Sequence, residues 1–492
     1  MLAIVLLLSL ASIAGTPPGS TKIRKISKAS DPLVLLRADL NRIFSDPPLN
    51  TAQSGIEVYS LDRSEIVYEK DSSRLLVPAS NNKILTVCVA LLCLGPDFRI
   101  KTRVLTDGHV QDGVLTGNLI VSGSGDPTNS ARFHSGDPFS VFKEWSAKLK
   151  TLNVRKIKGD IIGNEGDFGE MLGAGWEWND LAESFAAPVS SLQFNENSVS
   201  IEISPGSKKG APATIRASPI QDFIKLENGV VTEEEGTSPH LEINRIDSDE
   251  GIAVHGTIPE GAAVTRTVSV RDPVRYYLWA LKDTLLVEGI DAASCGLNKT
   301  KLYEPPAASL LWIDESPKLS EIIKPVLKAS QNIYAETLVR ILGSELRKSG
   351  TFSEGKEIVE DTLSRIGLDK GSYFYADGSG LSRLNLITPD GLVRILRFMH
   401  GQQDFDLFAN ALSVAGSDGT LASRMKGTKA ENNVHAKTGT LANVSSISGY
   451  VRTSDDELLA FSMMFNNFLA SRGAVEALQD KALVRLANFS RK

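Results

Sequence analysis

Three short groups of residues in this 492-residue chain have the types and spacing for nucleophilic chemistry. The first is Ser80-Asn81-Asn82-Lys83, at the mouth of an apolar run. A serine hydroxyl attacks poorly near neutral pH unless a base lies within hydrogen-bond reach. On a helix, positions i and i+3 share a face, so Lys83 can touch Ser80. An amine in a partly desolvated site near other cations can lose its proton and serve as that base. A helix N-terminus also offers backbone N–H groups and a favourable field to a developing oxyanion. The second group is Ser330-Gln331-Asn332, between two helical patterns. There the Ser330 hydroxyl can relay a proton, and the Asn332 amide can hold a substrate carbonyl and Lys83. The third is Lys437-Thr438-Gly439-Thr440, the sole K-T-G of the chain, which opens a strand pattern. Lys437 and Thr438 can grip a carboxylate. Gly439 lets the backbone approach a ligand closely. The N–H of Thr440 can complete an oxyanion hole with that of Ser80.

Each group alone has a plainer reading. S-x-x-K recurs at Ser140, Ser353 and Ser423. Ser330 and Asn332 suit a helix N-cap. A strand-edge lysine followed by a bend glycine needs no ligand. The ordered set carries the argument: S-x-x-K at a helix start, S-x-N between helices and K-T-G on a strand is a mechanistic combination of penicillin-binding proteins and serine β-lactamases. It makes Ser80 the expected nucleophile. A Ser-His-Asp triad is the weaker reading, because no G-x-S-x-G elbow appears.

The elements around these groups must hold them together. An amphipathic helix is expected in "DPLVLLRADLNRIFSD", and a β-hairpin in the alternating "SGIEVYSLDRSEIVYEK". The Ser80 helix follows Pro78 and Ala79 and stops at Gly95-Pro96. From about 98 to 300 short strand patterns recur between Gly-, Pro- and Asp-rich turns, with "PVRYYLWALKDTLLVEGI" as the clearest helix. From about 318 the chain turns helical, then ends in two strand patterns around "TSDDE" and a last helix. Strands at both ends of the chain, helices between and a β-rich middle predict an α/β (α+β) fold. Its antiparallel sheet is flanked by helices and interrupted by a large insertion. The expected divisions are a signal peptide at 1–15 and a flexible leader at 16–34. A discontinuous catalytic domain at 35–97 and 301–492 encloses an insertion at 98–300, with two subdomains.

Bulk properties narrow the function. A net charge of -6 argues against general nucleic-acid binding. No zinc-type Cys/His cluster appears, and the six histidines are scattered. Cys88, Cys93 and Cys295 read as free thiols rather than a disulfide framework. "MLAIVLLLSLASIAG" resembles a secretory signal with cleavage near Ala14 or Gly15, although its start carries no Lys or Arg. No later segment has the length of a membrane span. The expected protein is exported, in the periplasm or cell envelope, and soluble or loosely membrane-associated.

From about residue 35 the chain resembles the low-molecular-mass, class C penicillin-binding proteins, the penicillin-binding protein 4 type of D-alanyl-D-alanine carboxypeptidase/endopeptidase. The separation of 250 positions from Ser80 to Ser330 leaves room for the large insertion of that family. "PASNNK", "GSGDPT", "GWEWNDL", "APVSSLQFNENSV", "VHGTIP", "DGSGLSRLNLITP" and "HAKTGTL" carry the likeness. The resemblance implies peptidoglycan stem peptides as substrates, β-lactams as covalent inhibitors, and no metal or organic cofactor. It implies attack by Ser80, proton uptake by Lys83, transfer through Ser330 and carboxylate binding by Lys437 and Thr438. Arg383 in "DGSGLSR" matches a family arginine near the substrate side chain, with a structural salt bridge as the plainer reading. Where the family commonly has an aspartate that recognises a side-chain amine, this chain has Asn164; Glu165 could compensate, and Phe168 could line the same pocket. The alternatives are a β-lactamase or esterase on the same core, disfavoured by the insertion and K-T-G, and a non-catalytic cell-wall-binding homologue, disfavoured by the intact motifs.

Overall fold

The structure is a computed structural model that describes residues 31–246, 250–261, 263–301 and 308–492. The expected signal segment and the leader through residue 30 lie outside the described residues. Residues 32–34 of the expected leader are already helical, in the first turn of Pro32–Ile43, which Asp31 caps by accepting from Leu33 N.

A six-stranded sheet organises the chain, in the order Ser413–Val414, His435–Leu441, Val444–Arg452, Leu458–Asn466, Gln53–Ser60, Glu65–Lys70. Every neighbouring pair is antiparallel. The two ends of the chain meet at its centre, where Gln53 lies opposite Asn466 and Ser60 opposite Leu459. Side chains alternate across a strand, so Leu458–Asn466 feeds two cores. Leu459, Phe461, Met463 and Phe465 pack with Pro32–Ile43 and the last helix, Arg472–Ala487. Leu458, Ala460 and Met464 pack with the central helices on the other side. Cover on both faces explains why this strand is buried throughout.

The helix Asn82–Leu94 lies in the middle of that second core, buried from Asn82 to Leu91. Its sequence is apolar nearly all round, as a central helix requires. It ends at Gly95, whose φ of 80° is left-handed and whose N–H bonds Leu91 O at 3.0 Å.

The middle of the chain builds a five-stranded mixed sheet, Leu297–Thr300, Ile161–Asn164, Leu119–Ser122, Lys101–Thr106 and Ser309–Glu315, and smaller three-stranded sheets. The five-stranded sheet packs with the helices Ser140–Thr151 and Pro273–Val287 in a core of its own. Ser309–Glu315 pairs with Lys101–Thr106, beyond the sequence-based boundary at 300, because the returning chain closes the sheet edge. Cys88, Cys93 and Cys295 are free. Among the described residues, no helix is long and apolar enough to cross a membrane.

The segment before the central helix is pinned at two points, Ile387 and the sheet residue Asn466. Leu76 and Ile387 exchange backbone hydrogen bonds of 3.1 and 2.9 Å. The Asn466 side chain accepts from Val77 N at 2.7 Å and donates to Val77 O at 3.1 Å. Asn466→Ala leaves both groups without this partner. It is expected to lower the unfolding free energy by about 1–3 kcal/mol, read from the shift in urea midpoint at constant slope.

Candidate active site

Ser80 sits on a 3-10 turn, Ala79–Asn81, that runs directly into the Asn82–Leu94 helix. Ala79 takes a left-handed φ of 47°, a strained conformation for a residue with a Cβ. Pro78 O accepts from Ser446 Oγ at 2.6 Å, and Asn81 Nδ2 donates to Ser448 Oγ at 2.8 Å. Both contacts bind the turn to the strand Val444–Arg452.

One helical turn on, Lys83 Nζ lies 2.9 Å from Ser80 Oγ. The same nitrogen donates to Asn332 Oδ1 at 2.6 Å and to Ser379 O at 2.8 Å. A neutral amine has two N–H bonds and one lone pair. With the two N–H bonds directed to Asn332 and Ser379, the lone pair faces Ser80, whose hydroxyl can then donate to it. Lys83 is fully buried. Burial lowers its pKa to about 7, against the opposing pull of the Asp377 and Glu336 carboxylates.

Ser330 and Asn332 lie where the Leu319–Leu327 and Asn332–Arg347 helices meet. Ser330 adopts a φ of 59°, again left-handed. Its Oγ accepts from Lys437 Nζ at 2.9 Å. Asn332 uses its carbonyl on Lys83, and its amide donates to Phe185 O at 2.7 Å. Lys437 comes from the strand His435–Leu441 and is also fully buried. Burial, with the nearby charge of Lys83, holds its pKa well below that of an exposed lysine. Its Nζ donates to Thr438 O at 2.7 Å, and Thr438 Oγ1 donates to Thr420 Oγ1 at 2.7 Å. Gly439 is there because nothing larger fits: a Cβ would lie 2.5 Å from Pro78 O and 3.0 Å from Ser80 N.

These groups meet in an open cleft of about 410 Å³, lined by Ser80, Ser330, Asn332, Thr440 and Arg383, among others. Arg383 pairs with Glu177 at 3.0 Å and donates to Ala442 O at 2.6 Å. It is therefore both a salt-bridge residue and part of the cleft wall. Asn164 and Phe168 are not among the lining residues. Asn164 is buried at the end of Ile161–Asn164, accepting from Gly166 N at 3.3 Å. The Phe168 ring packs against Gly125 and Gly350, where an apolar ring gains more than it does in a polar cleft. Glu165 lies 4.0 Å from Lys299. Among the described residues, no group of His, Cys, Asp and Glu is arranged to hold a metal.

Sequence reasoning missed the residues that cage Lys83. Ser379 supplies a backbone carbonyl, which leaves no side-chain signature. Asp377 is completely buried and accepts from Gly380 N, Ser382 N, Asn385 Nδ2 and Trp176 Nε1 at 2.6–3.0 Å. Glu336 Oε1 accepts from Ser379 N at 2.8 Å. The signal available for Glu336 was a carboxylate one helical turn beyond Asn332 on an otherwise buried helix face.

The D-Ala-D-Ala carboxypeptidase 3 (S13) family matches residues 36–489. A D-alanyl-D-alanine carboxypeptidase of Actinomadura sp. is 34% identical, over 93% of this chain and 85% of its own. The crystal structure of penicillin binding protein 4 from Haemophilus influenzae superposes with a TM-score of 0.80 at 24% identity, covering 92% of this chain and 100% of that one. The same protein complexed with a novel β-lactam gives a TM-score of 0.74 at 23% identity, over 90% and 98% of the two chains. With the family pattern spanning nearly the whole described chain, this protein belongs to the D-Ala-D-Ala carboxypeptidase 3 (S13) family.

Proposed function

We propose that the protein is a serine D-Ala-D-Ala carboxypeptidase and D,D-endopeptidase that hydrolyses peptidoglycan stem peptides or their cross-links through an acyl-enzyme. The carrying observation is the Lys83 amine 2.9 Å from Ser80 Oγ, with its other hydrogen bonds directed to Asn332 and Ser379. Ser80 Oγ attacks the carbonyl carbon of the scissile peptide while its proton passes to Lys83 Nζ. The negative charge on the carbonyl oxygen falls to the N–H groups of Ser80 and Thr440. The C–N bond then breaks, and the proton reaches the leaving amine through Ser330 Oγ. Lys437 and Thr438 hold the terminal carboxylate, whose charge restores the protonated form of Lys437. Water hydrolyses the ester and returns Ser80 to its resting state. A β-lactam enters by the same attack.

Other parts of this reading concern place and organisation. Peptidoglycan lies outside the cytoplasmic membrane, and the apolar run of residues 1–15 fits a secretory signal. The inserted unit is best taken as residues 98–315, since Ser309–Glu315 completes its sheet. Its separate core supports that division.

The first test is labelling of the purified protein with a fluorescent penicillin, together with D-alanine release from a pentapeptide. A stable band and D-alanine release are expected, both lost in Ser80→Ala by on the order of 10⁴-fold or more. Rapid penicillin turnover without D-alanine release would point to a β-lactamase instead. The pH dependence follows from Lys83. Below pH 7 the amine is protonated and has no lone pair for the serine proton. The acylation rate is therefore expected to climb about tenfold per pH unit on the acid side and level off above about pH 7. Gly439→Ala drives the strand away from Ser80. Acylation is expected to slow by about 100-fold, while the melting temperature confirms a folded protein.

A further inference from the structure

One wall of the cleft is formed by the segment Gly175–Asp180, whose side-chain anchors are the two residues that precede Trp178. Trp176 Nε1 donates to the buried Asp377 carboxylate at 3.0 Å. Glu177 pairs with Arg383 at 3.0 Å. Asn179 and Asp180, like Glu177, line the cleft that contains Ser80. Directly after these anchors stands Trp178, 85% exposed and not part of the cleft lining. Leaving an indole in water forgoes a large burial gain. Leu384 is also exposed and packs close against Gly175 of the same segment. The exposed side chains of Trp178 and Leu384, each next in sequence to a cleft-lining residue, form an apolar rim beside the cleft.

We propose that Trp178 is a stacking platform for a pyranose ring of the glycan that carries the stem peptide, so that the enzyme reads sugar as well as peptide. This rests on the peptidoglycan-hydrolase reading above. The face of an indole is electron-rich and flat, and matches the C–H face of a sugar ring. The neighbouring Glu177, Asn179 and Asp180 offer oxygens that accept from sugar hydroxyls. Segment 176–184 carries three acids and no Lys or Arg, which disfavours an anionic lipid surface as the occupant. Continuity with the cleft places the sugar next to a bound peptide.

The test compares kcat/KM for a disaccharide-pentapeptide and the free pentapeptide, in the wild type, Trp178→Ala and Trp178→Phe. The wild type is expected to prefer the disaccharide-linked substrate by about five- to tenfold, the range one aromatic contact supplies. Trp178→Ala should erase that preference while free-pentapeptide hydrolysis and penicillin labelling stay unchanged; Trp178→Phe should keep part of it. Equal rates on both substrates in the wild type, or equal losses on both in Trp178→Ala, would overturn the proposal. Calorimetric titration with a peptide-free oligosaccharide of N-acetylated amino sugars tests the platform without catalysis. Binding weakened in Trp178→Ala is expected, and no binding by the wild type at millimolar sugar overturns it. Should neither peptide be hydrolysed nor penicillin bound, the hydrolase reading fails and the titration alone judges the platform. Trp178-dependent sedimentation with anionic vesicles, with sugar binding unaffected, would assign the rim to a lipid surface instead.

Discussion

Lys83 is stripped of water beside the hydroxyl of Ser80, and the rest of the site answers to that constraint. An amine removed from solvent needs partners for its polar valences, because unpaired ones cost several kcal/mol (roughly 2–7). Those partners come from three parts of the chain: Ser80 on the same turn, Asn332 on a second helix and Ser379 on a loop. Burial alone favours the neutral amine. Asp377 and Glu336 pull the other way, and the balance sits near neutrality. Glu336 is itself raised by burial and by Asp377, with Arg340 opposing. The electrostatics of the base are thus a property of a small network rather than of one residue.

That network explains why the loop 377–385 is so heavily tied down. Asp377 is held by two backbone N–H groups, an asparagine and a tryptophan. Asn385 Oδ1 accepts from Ala376 N and Asp377 N at 2.8 and 3.2 Å. The glycines of "DGSG" are required by close packing: a Cβ at Gly378 would meet Val339 and Ala335, and one at Gly380 would collide with Ala79 O. A shift in this loop would move Ser379 O and release one N–H of Lys83, so stiffness here preserves the direction of the lone pair.

The middle of the chain takes part in the site as well. Phe185 O orients the Asn332 amide. Gln193 Nε2 donates to Thr337 Oγ1 at 2.9 Å, and Arg340 donates to Glu170 O at 2.6 Å, both on the Asn332–Arg347 helix. Tyr334 OH donates to Glu196 Oε1 at 2.9 Å, while Arg132 forks onto the same carboxylate. One helix therefore presents Asn332 to the cleft and receives the middle of the chain along its length. The cleft wall formed by 176–185 follows from that docking.

The sequence by itself determined the three motifs, the order in which they occur, and the strands at both ends of the chain. These signals are local: i,i+3 spacing for Ser80 and Lys83, alternation for the strands, and one lone K-T-G. Tertiary structure alone decided what surrounds them. Ser379 and Phe185 act through backbone carbonyls, which every residue has, so no residue type marks them. Asp377 lies 294 positions beyond Lys83, and only folding brings the two together. Asn164 and Phe168, expected near the substrate by resemblance, are not among the cleft-lining residues: Asn164 ends the buried strand Ile161–Asn164, and the Phe168 ring lies against Gly125 and Gly350. Spacing along a chain encodes contacts within one element. Contacts between elements depend on how sheets and helices pack, and pattern alone does not carry that information.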